Sequence, residues 1–280
     1  MTHSPLVSTA WLADHLDDPS LVVLDATWFM PGDARDAAAG YAAGHVPGAR
    51  FFAIDEISDH ATDLPHMLSA PADFAVAARR LGVHAASTVV IYDTEGLFSA
   101  PRVWWNFRVM GHAATCVLDG GLPRWIAEGH AVETGWQDAP HGDFKARPQP
   151  GLVRDLEAVR RALEEHAAQI VDARAAGRFT GEIAEPRTGL RGGHMPGALN
   201  LPWSALVADG ALLPPAALKA AFLAAGVDLA APIITTCGSG VSAASLALAL
   251  AVIGHDDAAV YDGSWSEWGA RTDTPVAVGP

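Results

Sequence analysis

The chain repeats itself once, and any fold it adopts must accommodate the repeat. Val22-Val23-Leu24-Asp25-Ala26 returns as Ile170-Val171-Asp172-Ala173-Arg174, each an apolar, β-branched run reaching an acidic residue, as a buried strand does. Gly44-His45-Val46-Pro47-Gly48-Ala49 returns as Gly193-His194-Met195-Pro196-Gly197-Ala198. Val89-Val90-Ile91-Tyr92-Asp93 lines up with Ile233-Ile234-Thr235-Thr236-Cys237. Val117-Leu118-Asp119-Gly120-Gly121 lines up with Val260-Tyr261-Asp262-Gly263-Ser264, and Trp125 or Trp268 follows shortly after. The offset is far larger than a solenoid period, so a whole domain of about 130 residues is duplicated. Gln137–Gly151, with Pro140, Pro148 and Pro150, is a linker by composition. The expected organisation is one domain over residues 1–136, a linker at 137–151 and a second domain over 152–280.

Inside each half, short buried strands alternate with helical patterns such as Phe74–Leu81 and Leu218–Ala225. That alternation predicts an α/β fold of two tandem domains, each a mostly parallel sheet flanked by helices. Ligands of such sheets bind beyond the carboxyl ends of the strands, where Asp93 and Cys237 fall. After Cys237 come Gly238-Ser239-Gly240-Val241-Ser242 and then an Ala- and Leu-rich helical run from Ala243. Glycines let backbone fold closely around the cysteine tip, and a helix start favours a thiolate or a persulfide anion there. This is how a cysteine becomes a nucleophile. The first half has Asp93-Thr94-Glu95-Gly96-Leu97 at the same place and no thiol, so only the second half is expected to be catalytic. Cys116, inside an apolar run, reads as core. His45 and His194 sit in a turn shared by both halves and read as structural, as do Trp104, Trp105, Trp125, Trp265 and Trp268.

Bulk properties remove several function classes. A formal charge of −14 over 280 residues cannot neutralise a row of phosphates, so no nucleic-acid partner is expected. An anionic substrate must be drawn in by local cations against the overall field. The longest apolar stretches, such as Ala243–Ile253, are too short for a membrane span. The start Met1-Thr2-His3-Ser4-Pro5 shows no basic residue followed by an apolar run, so no secretory signal is expected. Two cysteines build neither a disulfide framework nor a zinc-type pair, and no metal is expected. A free catalytic thiol suits a reducing, cytoplasmic location.

The segment Cys237-Gly238-Ser239-Gly240-Val241-Ser242, with Ser99-Ala100-Pro101-Arg102-Val103-Trp104-Trp105 and Gly193-His194-Met195-Pro196-Gly197, resembles the tandem rhodanese-domain sulfurtransferases over essentially the full length. The loop is most similar to that of their 3-mercaptopyruvate branch, whose usual form ends in Thr; Ser242 departs from it but keeps the hydroxyl. Thiosulfate-preferring members carry basic residues where this chain has Gly238 and Ser239. The resemblance implies a Cys237 persulfide formed from 3-mercaptopyruvate with release of pyruvate. A thiol acceptor such as thioredoxin or glutathione, or cyanide, then takes the sulfur, and no cofactor is required. Arg178 and Arg187 fall where that branch holds its substrate-binding arginines, and the planar guanidinium fork suits a carboxylate beside a ketone. Gly238, Ser239, Gly240, Val241 and Ser242 complete the substrate loop. The resemblance also implies a proton relay through Ser239, His66 and Asp55.

Three alternatives stay open to different degrees. Cysteine phosphatases share the strand–loop–helix thiolate but close their loop with an arginine, and none follows Ser242 until Arg271. Thiosulfate sulfurtransferase is a nearer rival, disfavoured by the missing basic residues. A persulfide carrier would need the same Cys237. A monomer is expected, because duplication already supplies an internal partner.

Overall fold

The computed structural model describes residues 4–280; Met1–His3, part of the start considered for a secretory signal, lies outside the described residues. The chain divides into two units. The first holds the residues up to Asp59 with Leu68–Gln149 and Asp209–Leu212, and the second holds His60–Met67, Pro150–Ala208 and Leu213–Pro280.

The first unit contains strands β1 (Leu6–Val7), β2 (Leu21–Asp25), β3 (Arg50–Phe51), β4 (Thr88–Tyr92) and β5 (Thr115–Leu118). They form one sheet in the order β1-β5-β4-β2-β3, every pair parallel. Its helices are α1 (Thr9–His15), α2 (Ala37–Ala43), α3 (Pro71–Arg80), α4 (Ala100–Val109) and α5 (Gly121–Ala127). The second unit supplies β6 (Val153–Arg154), β7 (Gln169–Asp172), β8 (Leu199–Asn200), β11 (Ile233–Thr236) and β12 (Ala259–Tyr261) in the order β6-β12-β11-β7-β8, again all parallel. The short strands β9 (Val207–Ala208) and β10 (Ala211–Leu212) lie outside that sheet. Helices α6 (Leu156–Glu164), α7 (Ala176–Thr180), α8 (Pro215–Ala224), α9 (Ala243–Val252) and α10 (Ser264–Trp268) complete it. One topology has therefore been built twice.

Register sharpens the alignment of the halves. Asp25 pairs with Tyr92 and Asp172 pairs with Thr236, so Asp25 corresponds to Asp172, and Asp93 to Cys237, each one step beyond its strand. The central strands are buried on both faces, which is why they read as continuous apolar runs without alternation. Helix α9 has nine of its ten residues buried, so its Ala/Leu composition carries no polar face. Helices α3 and α8 both begin at a proline in the first turn, three residues before the apolar periodicity starts. Proline is favoured there because its fixed φ suits the turn and its missing N–H has no helical partner.

The Pro-rich segment 137–151 runs along the first unit as far as Gln149. Gly142 N donates to Arg79 O, Phe144 N to Val83 O and Arg147 N to Met110 O. The Phe144 ring is buried against Phe74 and Phe107. With Gln149 N donating to Val109 O as well, one aromatic anchor and four backbone hydrogen bonds order a stretch whose composition suggests only a connector.

Candidate active site

Strand β11 delivers Cys237 to its carboxyl end, and the loop 238–242 leads straight into α9. Cys237 is 2% exposed, and Ser239, Val241 and Ser242 are also buried. Gly240 takes φ +81°, a left-handed turn that other residues adopt only with strain. Gly238 has a different reason. A Cβ at this position would lie 2.8 Å from Nη2 of Arg178, so the absent side chain lets a guanidinium rest on the loop that follows Cys237. Among the described residues, the N–H groups of Ser239, Val241, Ser242 and Ala243 donate to no protein acceptor. They stand at the positive end of a ten-residue helix, so this is a ready site for an anion on sulfur. The Ser239 hydroxyl likewise has no protein partner among the described residues.

The loop is held from the far side by the start of α10. Cys237 N donates to Ser264 Oγ at 3.2 Å, and Trp265 N donates to Cys237 O at 3.0 Å. Ser266 donates to Gly238 O through both N (2.8 Å) and Oγ (2.7 Å). Ser264 achieves this at φ +50°, a left-handed conformation unusual for serine, while its own hydroxyl donates to Tyr261 O at 2.8 Å. The matching residue of the first unit is Gly121 at φ +54°, where a Cβ would lie 2.3 Å from Asp93 O.

An arginine–carboxylate network borders the loop. Arg174 is fully buried and forks onto Asp172, stacks on the Trp265 ring at 4.3 Å and donates through Nη1 to Glu185 Oε1 at 2.7 Å. Burial works against its charge, but Asp172 and Glu185 prevail and its proton is held more tightly than usual. Glu185 also receives both Nε (3.2 Å) and Nη2 of Arg178.

The first unit shows what the same loop does with a different residue at its root. Asp93 folds its carboxylate back into the turn. Oδ1 accepts from the N–H groups of Glu95 (3.0 Å) and Leu97 (3.1 Å), and Oδ2 from those of Ser99 and Ala100 (2.8 Å each). The loop is an anion cradle filled by its own side chain. Burial nonetheless pushes the Asp93 pKa above the usual carboxylate range. In the second unit Cys237 leaves the cradle open.

The other expected site residues divide between the units. His66 belongs to the segment packed with the second unit, buried at φ +62°, and its Nε2 lies 3.2 Å from Arg187 Nη2. A guanidinium only donates, so Nε2 is the acceptor and the imidazole proton sits on Nδ1. Asp55 stands in the first unit, where its carboxylate accepts from Trp28 Nε1 at 3.0 Å. His45 and His194 make the same contact twice: each ring stacks on an aromatic (Tyr41 or Phe179) and faces that residue's carbonyl oxygen with Nδ1 at 2.9 Å. Trp104, Trp105, Trp125, Trp265 and Trp268 are core. Cys116 is buried in β5, its thiol pushed up to about 12 by desolvation. No group of three or more His, Cys, Asp or Glu side chains among the described residues could hold a metal, and no helix there is long and apolar enough to cross a membrane. Sequence reading missed Asp172, Arg174, Glu185, Ser264 and Ser266. The available signal was the contrast between aligned halves, Asp25-x-Thr27 against Asp172-x-Arg174 and Gly121 against Ser264.

Residues 8–128 and 155–271 each match the rhodanese-like domain. The chain belongs to the rhodanese family. Its rhodanese-like domains correspond to the two sheets described above. The chain is 47% identical over 277 residues to the 3-mercaptopyruvate sulfurtransferase of Escherichia coli strain K12, covering 99% of both chains. It is 44% identical over 271 residues to the thiosulfate sulfurtransferase of Bos taurus, covering 94% of this chain and 91% of that one. Among solved structures it is similar to SseA from Escherichia coli, a 3-mercaptopyruvate sulfotransferase, with a TM-score of 0.87 and 44% identity over 94% of this chain and 99% of that one.

Proposed function

We propose that this rhodanese-family chain is a 3-mercaptopyruvate sulfurtransferase that carries sulfur on Cys237. The observation that carries the reading is the open anion cradle at Cys237 with the Arg178 guanidinium resting on Gly238. The full-length likeness to a protein named for that activity supports it. The second rhodanese-like domain is catalytic, and the first, its cradle filled by Asp93, is not.

The thiolate of Cys237 attacks the sulfur of 3-mercaptopyruvate. An S–S bond forms, the C–S bond breaks, and its electron pair leaves as the enolate of pyruvate. The hydrogen of the substrate thiol ends on the methyl carbon of pyruvate, so the enzyme is left as a persulfide anion. The N–H groups of Ser239, Val241, Ser242 and Ala243 receive that anion, fixed before the charge arrives. Arg178 and Arg187 hold the carboxylate and the ketone oxygen, where negative charge grows as the enolate forms. Ser239 hands the proton to carbon, with His66 and Asp55 as its relay. The Nε2 of His66 is occupied by Arg187, so a relay from Ser239 runs through a rearranged imidazole or through water. A thiol such as thioredoxin or glutathione, or cyanide, then attacks the outer sulfur and restores the thiolate. The reducing cytoplasm suits this cycle.

The test is steady-state turnover with 3-mercaptopyruvate and with thiosulfate, cyanide as acceptor, for the wild type and Cys237→Ser. The reading expects mercaptopyruvate to win by at least about tenfold in kcat/KM and the serine variant to be inactive. A preference for thiosulfate would keep Cys237 but overturn the role given to Gly238, Ser239 and Arg187. Sulfur bound to Cys237 by intact mass without turnover of either substrate would point to a carrier.

A further inference from the structure

We infer that Glu185 is the positioning residue that sets which edge of Arg178 meets the substrate, an inference that rests on Arg178 being a substrate-binding group. A guanidinium can fork a carboxylate along two edges, Nε with one terminal nitrogen or the two terminal nitrogens together. Glu185 occupies the first, taking Nε on Oε1 and Nη2 on Oε2. Arg178 Nη1 makes no protein hydrogen bond among the described residues, so the terminal edge is the one left for a second carboxylate. Nη2, on that edge, is also the atom that lies against Gly238. A carboxylate bound there is carried to the loop of Cys237.

Glu185 is itself buried and held on both sides. Its side chain is 1% exposed, and Oε1 is gripped by Arg174, which is buried on Asp172 and Trp265. The chain of ion pairs is therefore Asp172–Arg174–Glu185–Arg178, running from the end of the interior strand β7 to the loop of Cys237. Charge and position make opposite predictions for Glu185. As a negative charge beside an anion site it lowers affinity, so neutralising it should help. As a positioning group it is needed in full, because glutamine has one acceptor oxygen for two arginines and turns an N–H toward Arg178 Nη2.

The test uses Cys237 alkylation by iodoacetate, which carries a carboxylate, relative to iodoacetamide, which does not. The ratio of the two rates reports carboxylate capture beside the nucleophile and cancels general changes in thiol reactivity. It is read on the full chain for wild type, Glu185→Gln, Glu185→Asp, Arg178→Ala and the Glu185→Gln/Arg178→Ala double variant. Positioning predicts a ratio lowered about fivefold or more in Glu185→Gln, no further loss in the double variant beyond Arg178→Ala, and a parallel rise in KM for 3-mercaptopyruvate with a smaller change in kcat. Glu185→Asp, which keeps the charge but shortens the reach, gives the same fall, and serves alone if the glutamine variant does not fold. An unchanged or raised ratio in the folded variants overturns the inference, as does a full additive loss in the double variant. Because the ratio needs no sulfur substrate, failure of 3-mercaptopyruvate to turn over would sink the proposed function without touching this result.

Discussion

Replacing Asp93 by alanine takes the acceptor away from four backbone N–H groups, three of them on the buried residues Leu97, Ser99 and Ala100. Leaving a buried donor without its partner costs about 1–3 kcal/mol, so three give about 3–9 kcal/mol. Removing the buried carboxylate returns part of that, because burial already disfavours its charge, as the raised pKa shows. The net expectation is about 3 kcal/mol at neutral pH, near the lower end. Asparagine is a sharper probe. Each carboxylate oxygen accepts two N–H groups, so whichever way the amide is turned, its NH2 faces two donors. Asp93→Asn should therefore recover less than half of the loss. The assay is urea unfolding followed by tryptophan fluorescence, with the midpoint compared at constant slope. Sulfurtransferase activity at low urea should persist while the first transition moves to lower urea. An alanine variant within about 0.5 kcal/mol of wild type, the scatter of an ordinary surface change, would refute the filled-cradle account.

Asp25 has a pKa of about 6 because of burial, against 3.8 for the unstructured side chain. A carboxyl with a raised folded pKa stabilises the fold while protonated and loses that contribution as pH rises, here between about 4 and 6, by roughly 3 kcal/mol at most. Asp25→Asn should flatten the fall in urea midpoint over that window; an unchanged slope would mean that Asp25 is ionised throughout. Cys116, with its thiol near 12, should stay unmodified by iodoacetamide in the native protein at pH 8. Cys116→Ala should keep turnover within about twofold, and tryptic mass mapping that finds the label on Cys116 would contradict its inert role. Ser264→Ala removes the acceptor for Cys237 N but keeps a side chain at φ +50°, whereas Ser264→Gly removes the acceptor and the strain together. Turnover should fall about tenfold in both, with the glycine variant the more stable by about 1 kcal/mol in thermal melting; wild-type turnover in the alanine variant would remove Ser264 from the positioning of Cys237.

The duplicated topology was legible because strands, the His-x-Pro-Gly turn and the Asp-Gly step recur with their spacing, and backbone geometry depends on few residue types. The placement of Cys237 was legible for a related reason: a strand, two glycines and a helix start put one side chain at the carboxyl end of the sheet. The network around Arg178 was not. Arg174 and Glu185 are charged residues in an irregular stretch, where local composition suggests solvent, and only tertiary burial reveals that they are paired. Phe144 escaped notice for the same reason: one apolar residue among prolines and charges has no periodicity to betray it. Asp93 was visible only as an absent thiol. An acid in place of the thiol marks a missing nucleophile in the sequence, whereas the structure shows that it completes its own loop.

The two loops differ at their root in a way that constrains how one could become the other. The cradle in the first unit is stable because the acceptor is covalently attached and always present. The cradle at Cys237 must tolerate N–H groups that are unpaired whenever the sulfur is neutral, a standing cost of the kind just estimated for Asp93→Ala. The second unit offsets that cost from behind, where Ser264, Trp265 and Ser266 grip both backbone groups of Cys237 and the carbonyl of Gly238. In the first unit the step equivalent to Ser264 is Gly121, and Asp93 O leaves no room for a Cβ. A cysteine placed at position 93 alone would keep the Leu122 N–H on its carbonyl, as Trp265 N serves Cys237 O, but it would lack the hydroxyl of Ser264 on its own N–H, and it would have Thr27 rather than Arg174 at the matching end of the sheet. The two loops thus differ in the Ser264 brace and the buried arginine as well as in the residue at the root, so Asp93→Cys alone is not expected to give the first loop the surroundings of Cys237.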